Sequence, residues 1–473
     1  MKLPAFLRRP DASALTEGVI WKQLLLFFFP IVFGSFFQQL YNTVDAMIVG
    51  RYLGKEALSA VGGSTGSLVA LFVNFFIGLG SGATVVISQR YGAGDVAGVS
   101  KSVHTAVALS LGCGAFLTVA GIALTPWALT AMDTPAAILP HAITYMRVYF
   151  GGIVFNLLYN MSAGILRAVG DSRRPLLFLI CGCAANIALD LLFVAVCGFG
   201  VAGAAVATVL SQVLSVFLCM ITLTRTTECY RLGAKQIRFY KEPLKSIVRI
   251  GTPAGLQSVM YCIANVLIQV SVNSFGTDTV AGWTVYGKID GLFWMTINAF
   301  GIAITTFVGQ NFGAMKLRRV RDGVRQCMLI TAGVTVTLSL LLYFFGGSIY
   351  WLFIDEQSVV DAGVRILKAL VPTYITYIAI EILAGAVRGT GDALWPMIMT
   401  CLGVCVTRIL WIYLAVPVWH DIIVLMLCYP LSWVLTTIMF IWYYKNGAWL
   451  RRRLRAVGHP ELYSDFTGKP AKA

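Results

Sequence analysis

About twelve stretches of this 473-residue chain run for roughly 20 residues with almost no charge, the length that carries a helix across a hydrocarbon core of about 30 Å. They lie near residues 20–48, 57–88, 102–126, 138–165, 175–197, 201–223, 247–275, 279–308, 325–350, 366–386, 394–416 and 421–444. No water reaches a backbone in lipid, so only helices and closed barrels can span it. Ten-residue segments alternating apolar and polar side chains, the mark of a barrel, are absent, so the expected fold is an all-α integral membrane protein. The composition agrees: 58% of residues are hydrophobic and only 12% charged, against about 25% charged in soluble domains. The first run is long, and no small-residue cleavage site closes a short core, so helix 1 is expected to be retained.

The formal charge of +15 would ordinarily raise nucleic-acid binding. Its placement argues otherwise. With Met1 inside, eighteen Lys and Arg fall in the connections on that side, while the other side holds Arg51, Lys55, Arg147, Arg365 and Lys368. An excess of Lys and Arg marks cytoplasmic loops, so the expected location is the cell (plasma) membrane, multi-pass, with both termini cytoplasmic. Ten of the 11 cysteines lie in apolar runs, Cys229 excepted, and His104, His141, His420 and His459 are scattered. Neither pattern suggests a disulfide framework or a metal centre.

One unit is written twice. "SQRYGAGDVAGVSKSV" from residue 88 recurs as "GQNFGAMKLRRVRDGV" from residue 309, and "RAVGDSRRP" from 167 as "RGTGDALWP" from 388, both shifted by 221 positions; Pro30 and Pro253 give a weaker match at 223. Two six-helix copies follow, and because six is even they share one membrane orientation. Parallel repeats of this kind place substrate between the halves and alternate access by rocking. The expected domains are a cytoplasmic N-terminal segment (1–19), an N-lobe (20–223), a basic connector (224–246), a C-lobe (247–444) and a basic C-terminal tail (445–473). The connector reads equally as a helix lying on anionic lipid or as a solvated linker.

Acids at membrane depth carry the chemistry. In the first half Asp45 follows the polar stretch "QQLYNTVDAMIVG", and Asp190 sits one helical turn beyond Asn186, with Thr208 at a similar depth on the returning helix. Carboxylate, amide and hydroxyl oxygens suit Na⁺, and a desolvated carboxyl suits H⁺. With no Lys or Arg at that depth to neutralise two acids, ion coupling is favoured over simple polar glue between helices. Metal binding, if any, is Na⁺ at Asp45, Asn186, Asp190 and Thr208.

In the second half Lys288, Asp290, Glu381 and Arg408 lie near the midplane, and two charges of each sign can cancel in a structural network centred on an Arg408–Glu381 pair. Pro30, fifteen residues before Asp45, removes a backbone donor, and reads equally as a hinge or as a static kink. Tyr41, Phe36 and Phe37 are candidates for lining an apolar cavity.

Twelve helices in two halves, "QQLYNTVDAMIVGRYLG" in helix 1, "RAVGD" and "RGTGD" after helices 4 and 10, and "NIALD" followed by "GVAGAAVAT" together resemble the multidrug and toxic compound extrusion (MATE) family of the MOP superfamily, over roughly Thr16 to Gly447. Within it the chain is similar to the DinF-like prokaryotic branch. That resemblance implies an N-lobe coupling site matching Asp45, Asn186, Asp190 and Thr208, with Asn160 of helix 4 as a neighbour, and places Pro30 at the position of a helix 1 proline associated with bending. The NorM-like branch uses an acid on helix 7, and "AGLQSVMYCIANVLIQVSVNSF" has none.

The function these readings imply is secondary antiport: export of an amphipathic, cationic, drug-like compound in exchange for H⁺ or Na⁺, with no cofactor and with the lipid bilayer and a small molecule as the partners of a monomer. A lipid-linked precursor flippase of the same superfamily is the alternative, but only Lys288 and Arg408 could line its cationic cavity. An integral-membrane enzyme would need a metal cluster or a nucleophile with its base, and an ATP-driven pump a GxxxxGK[ST] loop; the chain has neither.

Overall fold

The computed structural model of the chain describes residues 15–132 and 134–467, and every regular element among them is helical. The first half comprises α1 (Ile20–Gly62), α2 (Ser64–Gly92), α3 (Val96–Ala131), α4 (Leu139–Gly151), α5 (Ile153–Ala168), α6 (Arg173–Asp190) and α7 (Gly200–Arg225). The second comprises α8 (Lys241–Asn273), α9 (Thr277–Gly313), α10 (Leu317–Tyr350), α11 (Gln357–Leu370), α12 (Ile378–Gly389), α13 (Leu394–Thr400), α14 (Thr407–Leu414), α15 (Ile422–Met426) and α16 (Cys428–Asn446), followed by the short α17 (Ala448–Ala456) and α18 (Tyr463–Thr467). By length and composition 11 helices can cross a membrane, and the bent pair α4 and α5 brings the number to 12.

Three departures from ideal helix shape the first half. α1 runs on past Pro30 and breaks only at Gly54, whose φ of 84° and ψ of −176° lie in a region that glycine alone occupies freely. The span expected at 138–165 is two helices bent by 48° at Gly152, where an added Cβ would strike Val209. After Asp190 the backbone makes a π-helical turn over Leu191–Val196, a feature that recurs at functional sites in helices. Gly54→Ala is expected to lower the thermal unfolding temperature, since it adds backbone strain of about 1–3 kcal/mol with no atom within 4 Å to receive the new methyl. An unchanged unfolding temperature would show that this break tolerates an L side chain.

The repeated motifs fold alike. "RAVGD" and "RGTGD" close α5 and α12 with Gly170 and Gly391, each at φ 91°, the amides of Asp171 and Asp392 returning to the carbonyls of Leu166 and Val387. The turns after α2 and α9 correspond too: Gly94 (φ 70°) is matched by Met315 (φ 54°), and the amides of Asp95 and Lys316 donate back to the carbonyls of Arg90 and Asn311. Asp95 then caps α3, accepting from the Gly98 amide at 2.8 Å.

Two compact units emerge, Phe29–Gly255 and Leu15–Phe28 joined with the chain from Leu256 onward. The division differs from lobes ending at 223 and beginning at 247. Leu15–Phe28 goes with the second unit because Asn311 Nδ2 and Arg319 bond the Leu15 carbonyl, Lys316 the Thr16 carbonyl, and Phe28 stacks on Phe300 at 3.9 Å. Lys241–Gly255 goes with the first because α2 and α8 meet along glycines: a Cβ on Gly78 would lie 2.5 Å from Gly255 Cα, and one on Gly82 2.6 Å from the Gly251 nitrogen.

The basic side chains of the connector, among them Arg225, Arg231, Lys235 and Arg238, are exposed. Between α7 and α8 it is irregular apart from the 3-10 turn Ala234–Gln236, and it folds onto α3, with the Gly233 amide donating to His104 Nε2 at 2.9 Å and the Tyr240 amide to Thr105 Oγ1 at 3.3 Å. Tyr230 and Leu232 are buried, and Arg90 pairs with Glu242. Residues 1–14 of the expected N-terminal segment and 468–473 of the expected tail lie outside the described residues.

Candidate functional site

Asp45 and Asp190 come from α1 and from the end of α6, and a cluster of apolar side chains sets their depth. Ile48 and Val49, one turn past Asp45, pack with Tyr145 of α4, Val194 of the π turn and Val201, Ala204 and Ala205 of α7. This packing leaves Asp45 8% and Asp190 0% exposed. Their carboxyl groups neighbour each other. Among the described residues no donor reaches either oxygen of Asp190 or Oδ1 of Asp45. One turn back along α6, Asn186 is 1% exposed and neither atom of its amide has a partner among the described residues. Five polar atoms from three side chains thus stand buried and unsatisfied together on two helices, against the usual rule that such groups are paired.

The remaining expected members are otherwise engaged. Thr208 is buried and gives its hydroxyl hydrogen to the Ala204 carbonyl at 3.0 Å, leaving only acceptor capacity. Asn160 donates to the carbonyl and side chain of Asn156, at 2.9 and 3.1 Å, and no hydrogen bond joins it to either acid. Tyr41 stands near Asp45 and Asp190. Phe36 is 45% exposed and stacks edge-on with Phe37, whose carbonyl meets Cys183 of α6. Pro30 lies inside an unbroken length of α1.

Sequence reasoning missed Tyr145 and Tyr149 of α4, which stack at 6.2 Å, Tyr145 standing near both acids. Their four-residue spacing ahead of Gly151-Gly152 was the available signal. The residues alone, however, do not say that the chain bends there and turns α4 towards α7.

The second unit corrects the expected charge network. Arg408 does not pair with Glu381. Glu381 reaches Arg388 Nη2 at 3.9 Å and accepts from the Tyr377 hydroxyl at 3.4 Å. Asp290 accepts from Trp294 Nε1 at 2.7 Å and the Tyr374 hydroxyl at 2.5 Å. Arg408 lies 4.2 Å over the Tyr429 ring and donates to Ser432 Oγ at 3.2 Å, while Lys288 is exposed. The physical reason is a second π turn, Cys401–Val406, directly before α14. One added residue per turn rotates everything after it by about 100°, so Arg408 faces α16.

Two helical units with spans sufficient for 12 crossings define a polytopic membrane protein. A solved MOP-superfamily transporter from Pyrococcus furiosus superposes with a TM-score of 0.85 at 24% identity, over 93% of this chain and 98% of that one. Residues 30–192 and 253–414 each match the MatE family model, and the chain belongs to that family. Among its curated relatives in Bacillus subtilis, YpnP, described as a probable multidrug resistance protein, is 30% identical over 84% of this chain and 88% of its own length. YoeA, described likewise, is 29% identical over 80% and 84%.

Proposed function

We propose that the chain exports amphipathic, cationic, drug-like compounds across the cell membrane in exchange for H⁺ or Na⁺, by alternating access, with both termini cytoplasmic. The observation that carries this reading is the Asp45–Asp190 pair. Two neighbouring carboxyls, shielded from water and with no Lys or Arg ion pair among the described residues, cannot both stay ionised unless a cation joins them. Such a pair is therefore a place where an ion must arrive or leave whenever the surroundings open to water. Asn186 adds two unpaired polar atoms to the same pocket of charge, and the π turn after Asp190 supplies a backbone that can change register at small cost.

Coupling requires the ion and the drug to prefer different arrangements of the same unit. The occupied pair is neutral or cation-bridged and packs closely. The empty pair repels and draws in water. The description of relatives as multidrug resistance proteins supports a drug-like substrate. The test is ethidium efflux from proteoliposomes under an imposed pH gradient alone and a Na⁺ gradient alone. Efflux with at least one gradient is expected, and dye movement indifferent to both would overturn the reading.

A further inference from the structure

We propose that the connector between α7 and α8 holds an anionic phospholipid at the bilayer boundary, with Phe239 among its acyl chains and Arg238, Lys241, Lys245 and Arg249 around its phosphate. The proposal goes beyond the export reading and does not depend on it. Between Arg225 and Arg249 seven Lys and Arg stand against two acids, Glu228 and Glu242, and Glu242 is paired with Arg90. Lys241, Lys245 and Arg249 follow one another every fourth residue, so they share one face of α8, and all three are exposed. Ile247, Ile250 and Ala254 are buried on another face of the same helix, which leaves the cations at the surface.

Charge alone would suit water as well as lipid, and Phe239 decides between them. From Ser102 to Ser110 α3 is enclosed, Leu109 being half-buried, and the connector lies on this stretch through the amides of Gly233 and Tyr240. Past it α3 turns an apolar face outward: Leu111 is 38%, Phe116 66% and Val119 72% exposed. Phe239, itself 54% exposed, lies at the start of that face, where a Cβ on Gly112 would come within 3.6 Å of its ring. Gly112 stands about 16 Å along the helix axis past Lys101, the only Lys, Arg, Asp or Glu within α3. An apolar ring exposed at that depth on a membrane-spanning helix meets acyl chains, and the flanking Arg238 and Lys241 are long enough to reach back to the headgroup phosphates. A lipid with a net negative headgroup leaves its phosphate free for these cations, whereas a zwitterionic one brings its own ammonium to compete.

The test is photo-crosslinking from Phe239→p-benzoylphenylalanine in the full chain, reconstituted in bilayers of equimolar phosphatidylglycerol and phosphatidylcholine with the same acyl chains and no ion gradient. The exposed position leaves room for the larger ring. Mass spectrometry then identifies the attached lipid. The benzophenone attacks acyl C–H bonds, which the two lipids share, so the ratio of adducts reports which lipid lies there. Phosphatidylglycerol adducts are expected to exceed phosphatidylcholine adducts about fivefold, the factor that one Lys or Arg supplies near an anionic surface. Arg238→Gln, Lys241→Gln, Lys245→Gln and Arg249→Gln combined should bring the ratio to about one. Should that variant fail to fold, salt replaces it: raising NaCl from about 0.1 M to about 1 M shortens the screening length from about 10 Å to about 3 Å, and the ratio should fall likewise. Adducts in bilayer proportion, or a ratio that neither neutralisation nor salt moves, overturn the site, and so does an absence of lipid adducts, the result for a solvated linker. Because no gradient is imposed, each of these failures leaves gradient-driven ethidium efflux untouched, and failure of that efflux leaves the lipid preference standing.

Discussion

Asp190→Asn reduces gradient-driven ethidium efflux by about tenfold or more, the equivalent of about 1.4 kcal/mol in barrier, and Asp45→Asn does the same. An amide has the shape of the carboxyl and the hydrogen-bonding capacity of its protonated form, but it can neither release a proton nor attract Na⁺. An amide in place of the Asp190 carboxyl would donate to Asp45 and hold the pair permanently in its occupied arrangement. Burial makes this strong: with Asp190 fully enclosed and Asp45 8% exposed, no surface water substitutes for the missing charge. Because an amide removes a costly buried acid, both variants should reach the membrane at wild-type level and unfold at the same temperature or higher. Transport falling without loss of folded protein separates coupling from polar glue, for which Asn serves as well as Asp. Wild-type efflux by both variants would end the ion-coupling reading.

Gly251→Leu is expected to be the most damaging single change to folding. In lipid there is no hydrophobic force to drive one helix against another, so close packing of small residues does that work. The four-glycine seam between α2 and α8 is that kind of contact: a Cβ on Gly251 would lie 2.8 Å from Leu79 Cα, and one on Gly255 2.7 Å from the Phe75 carbonyl oxygen. These neighbours are backbone and cannot swing aside. A leucine at 251 must push the helices apart along the whole seam, at a cost of about 3 kcal/mol. Fluorescence-detected size-exclusion after a heating series should show a lower unfolding temperature and a smaller monodisperse peak than for Gly62→Ala, where an added Cβ touches nothing within 4 Å. Equal profiles for the two variants would mean that the seam yields.

Hydropathy alone was enough to count the spans, because the cost of an unsatisfied backbone in hydrocarbon leaves a helix of about 20 residues little choice. The two copies were equally legible, since "RAVGD" and "RGTGD" need glycine at one position to close the same turn, and both adopt φ 91° there. Depth along the helices put Asp45 and Asp190 at similar levels, because two helices of one bundle place charges at predictable levels. Rotation was not legible. Whether Arg408 meets Glu381 or Tyr429 depends on the π turn at Cys401–Val406, and a run of apolar residues looks the same whether its carbonyls bond four or five residues on.

The amino-acid sequence by itself therefore determined the class, the number of crossings, the duplication and the acids that hydrocarbon makes conspicuous. All of these depend on energies that each segment meets alone, as it leaves water for lipid. Tertiary structure decided that Leu15–Phe28 and Lys241–Gly255 each join the unit opposite to their place in the chain order, that Tyr145 stands near the acids, and that Arg408 faces Tyr429 and Ser432. Those outcomes depend on how closely two backbones approach and how far each helix is turned, and neither quantity exists until the helices have met.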